Sequence, residues 1–203
     1  VLFLDELPEF QPSVLQGIRQ PLESGRMVVT RADGSVEFPA RFMLVAAANP
    51  CPCGFFGDDE RPCRCTVPQI RKYQGRIGGP VLDRIDLHVD VRRIPAASVL
   101  ATGNGTDSAT LREGVLKARE FAAWRTSGRS GPPSPQEVVE SCRLGQAEER
   151  FLTEAAARLS MSGRSLIRTA VLARTIADME ESARVGADHL SEALGFRVRG
   201  EEL

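Results

Sequence analysis

Four consecutive apolar residues, Val1-Leu2-Phe3-Leu4, run directly into two carboxylates, Asp5 and Glu6. An unbroken apolar run of this kind reads as a core strand of a parallel sheet, buried on both faces. Open α/β sheets bind ligands beyond the carboxyl ends of such strands, where Asp5 and Glu6 fall. Two adjacent carboxylates there suit a nucleoside triphosphate site, one entering the shell of a Mg²⁺ ion and the other activating the attacking water. This is the Walker B pattern. A strand-end Asp-Glu also occurs in loop salt bridges and helix caps, so a second strand tip has to support the reading. Because the chain opens on this strand, the sequence is expected to continue a longer protein.

Residues 41–48 supply that second tip: another apolar run, ending on Asn49. A neutral amide beside two carboxylates can hydrogen-bond both a γ-phosphate and an attacking water without adding charge. The plainer alternative is that Asn49-Pro50 is a turn. Between the two strands, residues 13–22 read as a helix with Val14, Leu15, Ile18 and Leu22 on one side, stopped by Gly25. Residues 27–30 and 36–38 then flank Arg31-Ala32-Asp33-Gly34, a hairpin signal. A helix is expected over 67–76 and a strand over 87–91.

Residues 98–109, rich in Gly, Thr, Ser and Asn, read as a linker. From 110 to 203 the pattern is helical: an amphipathic stretch over 111–124, a Pro-rich loop at 129–135, then helices over 136–142, 146–160, 163–181 and 187–197. Asp188 is the expected N-cap of the last. Trp124, Cys142 and the Leu/Ala-rich helix faces are expected to be core, and His88 and His189 packing or capping residues. The fold class is therefore an α/β portion over 1–97 followed by an all-α portion.

Four of the five cysteines fall in C-x-C-x₉-C-x-C: Cys51, Cys53, Cys63 and Cys65. Two close pairs of thiols can supply a tetrahedral S₄ set suited to structural Zn²⁺. An iron–sulfur cluster, two disulfides or reduced thiols are the alternatives. The one-residue spacing within each pair is tighter than usual for zinc, while Gly54, Gly57 and Pro62 provide turns that fold the segment back. The usage fits a cytosolic protein with a metal site better than a secreted disulfide scaffold. A net charge of −1 gives no global bias toward nucleic acid, so such contact would need a local patch. No apolar run approaches the roughly 18 residues of a membrane span.

With these motifs assembled, the chain resembles the Mg-chelatase-like branch of the AAA+ ATPases, and within it the YifB/ComM family. The stretches that carry the resemblance are VLFLDELPEF, LQGIRQPLESG, VTRADGSVEFPARF, NPCPCG, GPVLDRIDLHVDV and SGRSLIRTAVLARTIADME. It implies a partial P-loop nucleotide domain with a hairpin insert, including the cysteine-rich insertion 51–65, followed by a helical lid. Asp5 then matches the magnesium carboxylate, Glu6 the general base and Asn49 sensor 1. Arg84 matches the arginine finger that acts on a neighbouring subunit, its plainer reading being a salt bridge to Asp83 or Asp86. Arg164 matches sensor 2, with Arg168 one turn on as the fallback, and Arg174 is expected to be structural. The family places a hairpin in the pore of a hexameric ring, where Arg31 would meet branched or single-stranded DNA. It implies ATP and Mg²⁺ as cofactors, a cytoplasmic location, and branch migration during recombination of incoming DNA. No G-x-x-x-x-G-K-S/T loop occurs in these 203 residues, so this stretch alone is expected to be inactive. Rival readings are a chelatase-type ATPase that remodels a protein partner, and a zinc-stabilised interaction module without catalysis.

Overall fold

The computed structural model describes residues 1–91, 93–94, 105–127 and 133–197. They fall into two compact units, one spanning Val1–Ile85 and one beginning at Asp86.

A parallel ladder organises the first unit. Strand β1 (Leu2–Leu4) lies beside β4 (Leu44–Ala46), with Leu2 opposite Leu44, Phe3 opposite Val45 and Leu4 opposite Ala46. Main-chain bonds extend it: Leu2 N–H donates to the Met43 carbonyl (2.8 Å), Ala47 N–H to Leu4 (2.9 Å) and Leu7 N–H to Ala47 (2.9 Å). Side chains alternate across a strand, so Leu4 and Ala46 share one face and Phe3 and Val45 the other. The first face packs on Leu7, Leu15, Ile77 and Val81, joined by Phe10, Ile18 and Leu82. On the other face Phe3, Met43 and Val45 are exposed. The expected two-sided burial is thus one-sided, because the core is contributed by elements on the Leu4 side and no described residues form a layer over Phe3.

The helix expected over 13–22 forms as two short pieces, α1 (Pro12–Gly17) and α2 (Arg19–Ser24). Pro21 has no N–H to offer the Gly17 carbonyl, so a continuous helix is interrupted around Ile18 and a second one starts. Gly25 caps α2 in the left-handed region (φ 66°), and a Cβ there would lie 2.8 Å from Arg41 Cγ. The hairpin follows as expected. Strand β2 (Arg26–Arg31) pairs antiparallel with β3 (Gly34–Pro39), with Met27 opposite Phe38, Val29 opposite Val36 and Arg31 opposite Gly34. Arg26 pairs with Glu37 (2.7 Å) and Thr30 Oγ1 lies 3.0 Å from Ser35 Oγ. The turn is Ala32-Asp33, and Gly34 adopts φ 141°, which other residues rarely reach. Beyond the cysteines come α3 (Val67–Gln74) and α4 (Gly79–Leu82).

Helices build the second unit. They are α5 (Ser108–Arg125), α6 (Pro135–Cys142), α7 (Gln146–Arg158), α8 (Gly163–Met179) and α9 (Ala187–Gly195). Side-chain caps explain three of the starts: Asp107 Oδ1 accepts from Thr110 N–H (2.7 Å), Ser134 forms a capping box with Glu137, and Ser162 Oγ accepts from Ser165 N–H (3.1 Å). Helix α8 is central. Its Ala170, Ala173 and Ala177 are fully buried, and these small side chains let Cys142, Leu152, Val185, Leu190 and Ala193 close around it.

Four expectations fail here. Residues 87–91 form no strand; instead His88 N–H donates to the Phe196 carbonyl (2.8 Å). Trp124 is 66 % exposed and stacks at a tilt on Phe121, with centroids 5.3 Å apart, rather than lying in the core. Helix α5 buries no residue fully, and Leu111, Val115 and Leu116 face solvent, because it docks on α8 near its carboxyl end. The N-cap of α9 is Gly186, not Asp188; its N–H donates to His189 Nδ1 (2.9 Å). With Nδ1 accepting, the imidazole proton belongs on Nε2, which lies 2.9 Å from Glu180 Oε2. His189 is therefore the capping residue the sequence suggests. The expected linker and Pro-rich loop fall largely outside the described residues.

Candidate functional site

Asp5-Glu6 and Asn49 leave the same carboxyl edge of one parallel ladder, because β1 and β4 are in register up to Leu4 and Ala46. Asp5, Glu6 and Asn49 are all exposed. Asp5 Oδ1 accepts the Glu6 N–H (2.9 Å). Glu6 sits in the left-handed region (φ 50°, ψ 46°), and its carbonyl accepts Glu9 N–H (2.8 Å) to close the 3-10 turn Leu7–Glu9. A non-glycine residue held there costs of order 1–3 kcal/mol, and such residues cluster where a side chain has to be aimed. Pro8 and Leu7 are buried beneath the turn, and Arg76 braces it by pairing with Glu9 (2.9 Å) while lying over the Tyr73 ring. Burial, with the charges of Glu9 and Glu6, pushes the Tyr73 hydroxyl up.

Each sequence-predicted arginine has a definite place. Arg84 is buried, at 8 % exposure; its Nη2 lies 2.6 Å from Glu23 Oε1 and its Nη1 donates to the Pro80 carbonyl. The buried guanidinium is thus ion-paired to a carboxylate of α2. Arg31 is exposed at the hairpin end. Arg164 is exposed in the first turn of α8, and Arg168 pairs with Asp86. Arg174 is buried, donating to the carbonyls of Ser182, Ser141 and Ala183.

The four cysteines come together as the pattern requires. The Sγ atoms of Cys51, Cys53, Cys63 and Cys65 all lie within 4.8 Å of one another, and no disulfide joins them. Cys51 to Cys53 is 3.4 Å, Cys51 to Cys63 3.7 Å and Cys53 to Cys63 3.6 Å. Four sulfurs each about 2.3 Å from a tetrahedral zinc stand about 3.8 Å apart. The donor set therefore fits that ion in both number and spacing. Backbone N–H groups of Arg64 and Phe55 pull the Cys53 thiol down to about 6. The Cys65 N–H favours the Cys63 thiolate, yet burial and the Cys53 and Cys51 sulfurs together push it up to about 12. Burial likewise raises Cys65. Cys53 ionises readily while Cys63 and Cys65 resist, a conflict that a bound divalent cation removes.

Residues 1–99 match the family model described as magnesium chelatase, subunit ChlI, and residues 105–197 match that of the ChlI C-terminal part. The chain belongs to the magnesium-chelatase-like family. Among relatives, Competence protein ComM of Haemophilus influenzae is 42% identical over 199 residues, 98% of this chain and 39% of that protein. The uncharacterized protein YifB of Escherichia coli is 37% identical over 199 residues, again 98% and 39%. The uncharacterized protein Rv2897c of Mycobacterium tuberculosis is 38% identical over 204 residues, 98% and 40%. The chain spans about two fifths of the length of the curated relatives it matches. Among the described residues no helix is long and apolar enough to cross a membrane.

Two features escape sequence reasoning. Asp178 is buried between Arg125, whose Nε and Nη2 donate at 2.9 and 2.7 Å, and Arg174, whose Nη2 lies at 3.0 Å. Arg174 and Asp178 lie one helical turn apart on α8, whereas Arg125 is 53 residues from Asp178. The second is Gln74, whose side-chain amide donates to the Pro50 carbonyl (2.9 Å), beside Asn49. A helix-terminal glutamine carries no local signal of such a contact.

Proposed function

We propose that this chain is the latter part of a AAA+ module in a longer cytoplasmic protein, which assembles as a hexameric ring and couples ATP hydrolysis to DNA remodelling. The reaction envisaged is branch migration during recombination of incoming DNA. The observation that carries the reading is the shared ladder edge, which sends two carboxylates and an amide out of adjacent parallel strands. When bound, Mg²⁺ and ATP supply the charge-neutralised phosphoryl group that is transferred. Asp5 would hold the metal, Glu6 would take the proton of the attacking water, and Asn49 would orient that water. Arg164, with Arg168 behind it, would read the γ-phosphate from the lid. Arg84 would serve a neighbouring subunit as an always-charged guanidinium, for which it must leave Glu23. Arg31 at the hairpin end would touch DNA phosphate. Cys51, Cys53, Cys63 and Cys65 would hold a structural Zn²⁺.

ATPase activity of the full-length protein, measured with and without branched DNA, tests the assignment. Stimulation by DNA, lost in Glu6→Gln and weakened in Arg31→Ala, is expected. Absence of stimulation together with no effect of Arg31→Ala refutes the DNA reading. The description of the matching models favours a second reading, an ATPase that remodels a protein partner for Mg²⁺ insertion into a porphyrin, which would leave the ATPase indifferent to DNA. For the metal, zinc per chain is compared between wild type and Cys63→Ser; equal, near-zero content in both rejects the site.

A further inference from the structure

Two short links tie the thiol cluster to Asn49. Upstream, one residue, Pro50, separates Asn49 from Cys51, and Cys51 is fully buried. Downstream, Cys65 leads at once into Thr66, whose N–H donates to Gln69 Oε1 (2.8 Å) in the capping box that starts α3. Ile70 and Tyr73 bury α3 in the first unit. From its last residue, Gln74 returns its side-chain amide to the Pro50 carbonyl. The segment from Pro50 to Gln74 is therefore a closed loop whose two ends meet one residue past Asn49. The four sulfurs pinch the same loop, since Cys51 and Cys53 leave its first end and Cys63 and Cys65 enter its last.

An exposed side chain at a strand tip has few contacts of its own to hold it. Here the restraint comes from behind. A metal ion bound by all four sulfurs would convert the pinch into four bonds and fix the path of Asn49-Pro50-Cys51. Gln74 supplies the second point of attachment, so the tip is held from both sides of Pro50.

We propose that the metal-bound thiol cluster, together with Gln74, is the positioning device for Asn49, so that metal occupancy sets how well the amide is presented beside Asp5-Glu6. The role assigned to Asn49 rests on the nucleotide-site reading above; the physical tie between thiols and strand tip does not.

The test uses the full-length protein, zinc-loaded and chelator-treated, with Gln74→Ala as a variant that leaves the thiols untouched. Amide hydrogen exchange is followed by mass spectrometry alongside steady-state ATP kinetics. On metal removal, exchange at Ala47, Ala48 and Asn49 is expected to accelerate about tenfold or more, while α8 stays unchanged. Gln74→Ala, at unchanged zinc content, is expected to give a smaller acceleration at the same amides. In both, kcat falls about tenfold, the worth of one well-placed hydrogen bond, while KM for ATP changes less than about twofold. Unchanged exchange at 47–49 in the metal-free protein overturns the proposal, as does an equal acceleration across the whole first unit. Faster exchange there with unchanged kcat overturns it too. Glu6→Gln is the control for the underlying reading: if that variant hydrolyses ATP like wild type, the nucleotide site itself is wrong, and the exchange measurement still decides whether the thiols hold the tip.

Discussion

Replacing Asp178 by Asn should destabilise the helical unit more than any surface change. Asp178 is 6 % exposed and is the shared acceptor of Arg125 and Arg174, whose side chains are 12 % and 4 % exposed. Burial pulls the Arg174 guanidinium below its ordinary range, so its charge is maintained at a cost that the carboxylate offsets. Removing one partner of a buried pair costs about 3–5 kcal/mol, because the other charge stays behind. Arg174 keeps three carbonyl acceptors and Arg125 can turn toward water, so the lower end applies, about 3 kcal/mol. For a unit of this size about 1 kcal/mol moves the melting temperature by about 4–8 °C, giving a drop of ~12–24 °C. Circular dichroism at 222 nm through a thermal melt measures it, with the two units resolved as separate transitions or by calorimetry. Because the charges are buried, raising NaCl from 0.15 to 1 M should leave the difference nearly unchanged, since screening acts mainly on exposed pairs. A drop below about 3 °C, or one that salt abolishes, refutes the view that the triad is a buried, mutually dependent unit.

Three further outcomes are expected. Burial pushes the Cys142 thiol up to about 11 from its ordinary 9.0, so the fold favours the protonated form. The stability this confers is complete below pH 9 and is lost as pH rises from about 9 through 11; the melting temperature of wild type minus that of Cys142→Ala should fall across that window and be flat below it. Glu6→Val should be about 1–2 kcal/mol less stable than Glu6→Asn in urea titration, since φ 50° suits Asn and strains a β-branched residue. Equal stabilities would contradict the left-handed assignment. Glu23→Ala should destabilise the first unit by about 1–3 kcal/mol by removing the carboxylate paired with the buried Arg84 guanidinium, and Arg84→Met in the same background should recover part of it.

The sequence was most readable where a local rule suffices. The apolar run before Asp5, the Asp33-Gly34 turn signal, Gly25 as a helix stop and the spacing of the cysteines each depend on a few adjacent residues, and each element formed. It was least readable where packing decides. Residues 87–91 look β-prone, yet His88 N–H is taken by Phe196, more than a hundred residues away. Trp124 is the largest side chain in α5 but is exposed, because the helix docks through its Arg125 contact with Asp178. In the candidate site, Asp5, Glu6 and Asn49 were identifiable as strand-end residues. The Glu23 partner of Arg84 and the reach of Gln74 were not, being contacts across 61 and 24 residues with no periodicity to announce them.

The hairpin and the cysteine segment both hang from β4, one entering it and the other leaving it, while the alignment of the two strand tips is set by three residue pairs between β1 and β4. Chain length in the hairpin is consequently decoupled from the register of β1 with β4. Lengthening a closed loop costs only about 0.6 kcal/mol per doubling. Homologues can therefore lengthen or shorten the hairpin, altering its reach, without moving the carboxylates relative to the amide, whereas a single-residue deletion inside 42–46 would invert the strand and misalign the site at once.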